Sequence, residues 1–171
     1  YSAGGGAGAV TDVWLGSNSP ASSGPVFYYN KGLLSARAGA LHGLLTSSGP
    51  AATMYVECDR IGHAGNSQAL FSCDGGTVVV RCKHAITNHQ FASVTQGTLV
   101  VHCTIAESTF NGVGCSIIGG ALQLSGKYLL STNNAMASNW DGTLVLDNAR
   151  ISVGGTHSFS ASSARSLLNI G

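Results

Sequence analysis

Gly76–Ile86 reads GTVVVRCKHAI, and the phrase returns at Gly97–Glu107 as GTLVVHCTIAE. Gly120–Leu130, GALQLSGKYLL, and Gly142–Ser152, GTLVLDNARIS, repeat it twice more. The four glycines are 21, 23 and 22 residues apart. Self-similarity at such a period marks stacked supersecondary units, each burying its apolar face on the next.

Thr53–Asp59, TMYVECD, fits the same frame one unit earlier. Aligned, the units form files. Met54, Val78, Leu99, Leu122 and Leu144 share one file, and Val56, Val80, Val101, Leu124 and Leu146 share the next. Cys58, Cys82, Cys103, Gly126 and Asn148 make a third. A period of two sends these three files to one face of a strand, and their apolar or small character makes that face the interior. Between them, Tyr55, Glu57, Val79, Arg81, Val100, His102, Gln123, Ser125, Val145 and Asp147 point outward.

A second, shorter strand precedes each repeated glycine: ALFSC, QFASV, VGCSI, AMASN and, at the end, HSFSA. Phe71, Phe91, Val113, Met136 and Phe159 are expected to form a further inner file. Segments such as GHAGNSQ, TNHQ, TFNG, TNNA and GGTH supply turns, since Gly and Asn tolerate left-handed backbone. One coil is then strand, turn, strand and bend, with successive coils pairing in parallel about 4.8 Å apart. The expected fold is all-β: a single-stranded, right-handed parallel β-helix of six to seven coils of 21–24 residues. A Rossmann-type fold would need about 10–15 helical residues between strands, and these linkers are too short and too rich in Gly and Asn. A sandwich of hairpins remains as an alternative, although it gives no reason for the phrase to repeat in register.

Residues 1–24 read as a Gly/Ser-rich lead-in and loop, with a first extended piece at Thr11–Leu15, and residues 25–171 as the β-helix domain. PVFYYNK, at Pro25–Lys31, is the first clear strand. Leu33–Leu45 suits either short strands of an irregular early coil or a capping helix, and Gly32, Gly39 and Gly43 favour the strands. The regular repeat is expected to begin at Thr53. YSAGGGAGAV lacks the basic and apolar regions of a signal peptide, so the chain reads as a mature product, a fragment or the ordered part of something longer.

Charged residues make up 9% of the chain against about 25% in ordinary domains, and the net charge is +1. That balance gives no pull toward nucleic acid, and no apolar run reaches the roughly 20 residues of a membrane helix. Five cysteines leave at least one thiol without a partner inside the chain. The file Cys58, Cys82, Cys103 could be a metal or redox site. No CxxC spacing is present, and small buried thiols filling a narrow interior explain the file more simply, so neither metal nor cofactor is expected. His102 faces outward where the cysteines face inward, and the other histidines (His42, His63, His84, His89 and His157) read as solvated or turn-capping. Glu57 and Asp147 share a face but stand several coils apart, too far for a glycosidase pair. Glu57, Asp59, Arg81 and Lys83 form a mixed-charge patch that cross-strand ion pairing accounts for. Asn148 would be a polar residue inside. Tyr28 or Tyr29, Tyr55, Tyr128 and Trp140 could present rings to solvent. The outward binding candidates are therefore Tyr55, Glu57, Arg81, His102, Tyr128 and Trp140, with no catalytic residue assigned.

On coil period, GT-x-V-x-V strands and Asn/Gly turns, the chain over Pro25–Gly171 resembles the right-handed parallel β-helix proteins of phage tailspikes and tail fibres, pectate-lyase-like enzymes and bacterial adhesins. The resemblance implies a non-enzymatic virion or cell-surface protein that contacts a glycan or a receptor and assembles as a homotrimer. A polysaccharide-depolymerising spike and a self-assembling extracellular filament are its alternatives. SLLNIG, at Ser166–Gly171, reads as an unpaired edge that invites a partner, which also suggests trimers or end-to-end stacks.

Overall fold

A computed structural model describes residues 2–3, 10–17, 25–63, 68–87, 90–104, 109–110, 114–130, 135–153, 158–161 and 166–171. These form strands β1 (Ser2–Ala3), β2 (Val10–Ser17), β3 (Pro25–His42), β4 (Leu44–His63), β5 (Phe71–Thr87), β6 (Ala92–Cys103) and β7 (Thr109–Phe110). The second half contributes β8 (Cys115–Ile117), β9 (Ala121–Leu130), β10 (Ala135–Trp140), β11 (Thr143–Val153), β12 (Ser158–Ala161) and β13 (Leu167–Ile170). Every pairing among them is parallel, from β1 on β3 through β11 on β13. The result is a parallel β-solenoid of about five turns, slightly fewer than the six to seven expected. Among the described residues no helix is long and apolar enough to cross a membrane.

The first two inner files have the register expected of them. Met54 pairs with Val78, Val78 with Leu99, Leu99 with Leu122 and Leu122 with Leu144. All five side chains are at most 1% exposed. Val56, Val80, Val101, Leu124 and Leu146 stack beside them in the same way. The files also run further back than Thr53: Leu34 and Ala36 pair with Met54 and Val56, and Thr11 and Val13 pair with Leu34 and Ala36. Leu33–Leu45 is therefore extended and regular, apart from Gly43 between β3 and β4, and the alternative of a capping helix falls. Glycines, which weaken a helix, are harmless at bends: Gly32 has φ 87° where β3 turns its corner, and Gly43 has φ 136° between β3 and β4.

The third file departs at its end. Cys58, Cys82, Cys103 and Gly126 are register partners, but Gly126 pairs with Ala149 rather than Asn148. A bulge between Leu146 and Ala149 takes up one extra residue. Asn148 is exposed at φ 49°, with its amide donating to the Asp147 carboxylate. Burying that amide without partners would cost about 1–3 kcal/mol, and the bulge puts a methyl group inside instead. Gly126 occupies its place because a Cβ there would stand 1.9 Å from the Cys103 carbonyl oxygen.

The second face is offset by one residue from the expected file. Phe71 pairs with Ala92, and Phe91 lies one residue earlier at the corner. Both rings are buried and meet edge to face at 5.1 Å, and Phe91 also meets Tyr128 at 5.9 Å. Val113 and the side chains of Met136 and Phe159 lie outside the described residues, as do most of the Asn/Gly turns, His63's side chain, His89 and His157.

Two expected surface aromatics belong to the core. Tyr128 is fully buried, its hydroxyl donating toward the carbonyls of Val101 at 2.8 Å and Ser125 at 2.9 Å. Trp140 is 4% exposed, and its indole N–H donates to the Gly142 carbonyl at 2.8 Å. Each ring is placed inside because a bend leaves a backbone carbonyl for its one polar atom. Tyr29 follows the same rule, donating to Leu33, whereas Tyr28 and Tyr55 are exposed.

Candidate functional site

The described interior is mostly apolar groups and thiols, with Ser47, Thr87 and Ser116 the buried polar exceptions, so the outer face of β2–β6 and β9 is the candidate surface for contacts with other molecules. Alternation puts one outward residue per strand into a file: Trp14, Arg37, Glu57, Arg81, His102 and Ser125 are successive register partners. Neighbours in this file stand about 4.8 Å apart. The parallel file beside it runs Ser35, Tyr55, Val79, Val100, Gln123 and Val145.

The first file, from Trp14 to His102, lines a shallow groove of about 680 Å³, bounded by Trp14, Arg37, Glu57, Asp59, Arg81 and His102 among others. Two smaller hollows adjoin it, one of about 300 Å³ beside Tyr55 and one of about 380 Å³ beside Gln123 and Asp147. Arg81 lines all three.

Charge in the groove is largely paired. Arg37 Nε lies 3.4 Å from Glu57 Oε2, and Lys83 Nζ lies 2.6 Å from Asp59 Oδ1. All four side chains are more than half exposed, so each pair contributes about 0.2–1 kcal/mol to stability. Ion pairing of the patch is thus as expected for Asp59 and Lys83, while Glu57 takes Arg37 on one side rather than Arg81 on the other. His102 Nδ1 is 2.8 Å from Ser125 Oγ, and Gln123 donates to Asp147 at 3.0 Å. With both groove carboxylates held by cations, the arrangement suits binding through Arg81 and the exposed rings better than proton transfer.

Of the expected site residues, the structure brings Glu57, Arg81 and His102 into one file with Tyr55 beside them. It separates Tyr128 and Trp140 from them by burying both. Trp14 and Arg37 were missed. Trp14 is 80% exposed, and the signal for it is the alternation Val13, Trp14, Leu15, which sends the ring outward.

Beneath the groove lies the thiol file. All five cysteines are buried thiols outside any disulfide. Cys82 Sγ and Cys103 Sγ are 3.5 Å apart. Contact with the Cys103 and Cys58 thiols, then burial, holds the Cys82 thiol far above its ordinary range, so it stays protonated. Burial pushes Cys115 up to about 12 and raises Cys73, whose thiol lies 3.4 Å from the Gln96 carbonyl. Burial and then the neighbouring Cys103 raise the Tyr128 phenol as well. Among the described residues no group of three or more His, Cys, Asp or Glu is placed to hold a metal ion.

In comparison with known proteins, no family model, no curated protein and no solved structure matches the chain.

Proposed function

We propose that the chain is a non-enzymatic structural β-solenoid of a virion or cell surface whose outer groove contacts a glycan or a glycan-bearing receptor. The observation that carries this reading is the groove itself. An exposed indole, Trp14, lines the same groove as Arg81 three strands away, and an exposed phenol, Tyr55, lines the adjoining hollow that Arg81 also borders, while both groove carboxylates are engaged by cations. Aromatic faces stack on the apolar faces of sugar rings, and a guanidinium offers a planar fork of donors to hydroxyls or carboxylates. The low charge of the exterior and the coil pattern support a tail-fibre-like or adhesin-like setting, with assembly as a homotrimer.

The test is binding to an array of neutral and acidic glycans, with Trp14→Ala and Arg81→Ala as variants. Each should weaken binding at least about tenfold, roughly 1.4 kcal/mol, with melting temperature unchanged. Glycan binding untouched by both variants would remove the groove from the reading. Sedimentation equilibrium tests the assembly: trimers support the fibre-like setting, and end-to-end polymers support a filament subunit.

A second reading rests on Glu57 and Asp59, which stand side by side at the groove with Arg81 and Lys83. Residues two apart on a strand are about 6.6 Å apart, within the range of an acid–base pair for inverting glycoside hydrolysis. Release of reducing ends from a polysaccharide, abolished by Glu57→Gln, would favour a depolymerase over a purely structural protein.

A further inference from the structure

The groove floor carries a feature that glycan contact does not use. Cys58, Cys82 and Cys103 are register partners on three consecutive strands and point into the core. Cys58 and Cys82 also line the groove and remain 6% and 4% exposed, so the thiol file touches solvent on one side.

We propose that Cys82 and Cys103 form a two-coordinate site for a soft monovalent cation, Cu(I) or Ag(I), which enters from the groove past Cys58. The first argument is spacing. Side chains of in-register parallel neighbours stand about 4.8 Å apart. Two collinear metal–sulfur bonds of about 2.3 Å each, the length of a zinc–thiolate bond, span about 4.6 Å. The two sulfurs lean together at 3.5 Å, and a small rotation about each Cα–Cβ bond opens them to that span. A tetrahedral ion has no such fit, because a straight file offers two sulfurs to any one point between strands and, among the described residues, no group of three or more His, Cys, Asp or Glu is placed to hold a metal ion.

The second argument is chemical type. Sulfur ligands select soft cations, the inner file beside the thiols is the buried apolar Val80, Val101 and Leu124, and the Tyr128 phenol that neighbours Cys103 already donates to backbone carbonyls. The third is charge. A monovalent cation binds as one thiol loses its proton to solvent through the groove and the other coordinates as a neutral thiol. The product, thiolate–metal–thiol, carries no net charge, so nothing ionic is left in the apolar interior. No electron is transferred.

Cys82 is the middle member of the file, which makes the test decisive. The full chain, kept reduced and anaerobic, is titrated with Ag(I). Metal retained after desalting, thiolate-to-metal ultraviolet absorption and melting temperature are followed. One Ag(I) per chain and a raised melting temperature are expected. Cys82→Ala should lose at least 100-fold in affinity, since Cys58 and Cys103 are then two rungs apart. Cys73→Ala and Cys115→Ala, which remove thiols on the other face, should bind as the parent does. Retention by Cys82→Ala, or equal losses on removing any of the five thiols, would overturn the site. X-ray absorption of the Cu(I)-loaded parent decides the matter even where a variant fails to fold. Two sulfur neighbours support the site, and three or more ligands, or any nitrogen or oxygen, overturn it.

Discussion

Val80→Asp and Val79→Asp place the same carboxyl on adjacent residues of β5, one inside the rod and one outside. Val80 is fully buried, with Val56 and Val101 as register partners, whereas Val79 is half-buried on the outer face between Tyr55 and Val100. Replacing Val80 forfeits about 2 kcal/mol of apolar burial. A protonated carboxyl without partners adds about 2–3 kcal/mol. Near pH 4 the loss should therefore be about 4–5 kcal/mol. Above that pH the unfolded chain ionises with a pKa near 3.9, while burial raises the folded value by about 3–5 units. The folded state then holds a proton that the unfolded state releases, so stability falls by about 1.4 kcal/mol per pH unit as pH rises from the unfolded value toward the folded one. By pH 7 the total reaches about 8 kcal/mol, comparable to the whole stability of a typical domain. Val79→Asp should cost about 1 kcal/mol at either pH, since its carboxyl remains solvated. Urea unfolding followed by circular dichroism at pH 4 and pH 7, each variant referred to the parent at the same pH, measures both numbers. Equal losses for the two variants, or a Val80→Asp deficit independent of pH, would refute the assignment of inner and outer faces.

Alkaline pH should act on the native chain through Cys115, whose thiol is pushed up to about 12 by burial. Its folded pKa is raised, so the stability it supports is present below about pH 9 and drains away toward pH 12, by about 1.4 kcal/mol per unit; Cys115→Ala should flatten that stretch of the stability–pH curve in urea titrations. Gly97→Ala should cost at least about 2 kcal/mol, because φ is 79° and the new Cβ would lie 2.3 Å from the Gly76 carbonyl oxygen. Gly16→Ala, with no atom within 4 Å of its Cβ position, should stay within about 0.5 kcal/mol, and similar melting temperatures for the two variants would count against the stacked bend.

Much of the fold was legible because a parallel solenoid writes one constraint at every turn. Met54, Val78, Leu99, Leu122 and Leu144 recur at the same offset from the bend, and the register follows from them. What escaped reading was set by single backbone events. The bulge at Asn148 is marked in the sequence only by a polar residue at a place the file gives to small ones, and a polar residue inside reads the same way. The corner at Phe91 shifts an aromatic by one position without changing its burial. Tyr128 was readable in principle, because it continues the inward parity of Leu122, Leu124 and Gly126, but its phenolic oxygen suggested solvent. The groove was half legible: parity put Glu57, Arg81 and His102 together, whereas Trp14 and Arg37 lie in strands that precede the clear repeat.

The stacked bend at Gly97, whose backbone packs on Gly76 one coil below, also bears on how such a molecule changes over generations. From Gly76 through Gly97 and Gly120 to Gly142, each coil rests on its predecessor through the same glycine and the same inner files. A duplicated stretch of DNA encoding one coil therefore inserts a unit that fits both neighbours from the start. The rod can lengthen or shorten in steps of about 4.8 Å, one rung at a time. Each step adds one more outward residue to the file that holds Arg37, Glu57 and Arg81. Reach and surface chemistry can thus be altered by copying, with point mutation left to edit only the exposed positions.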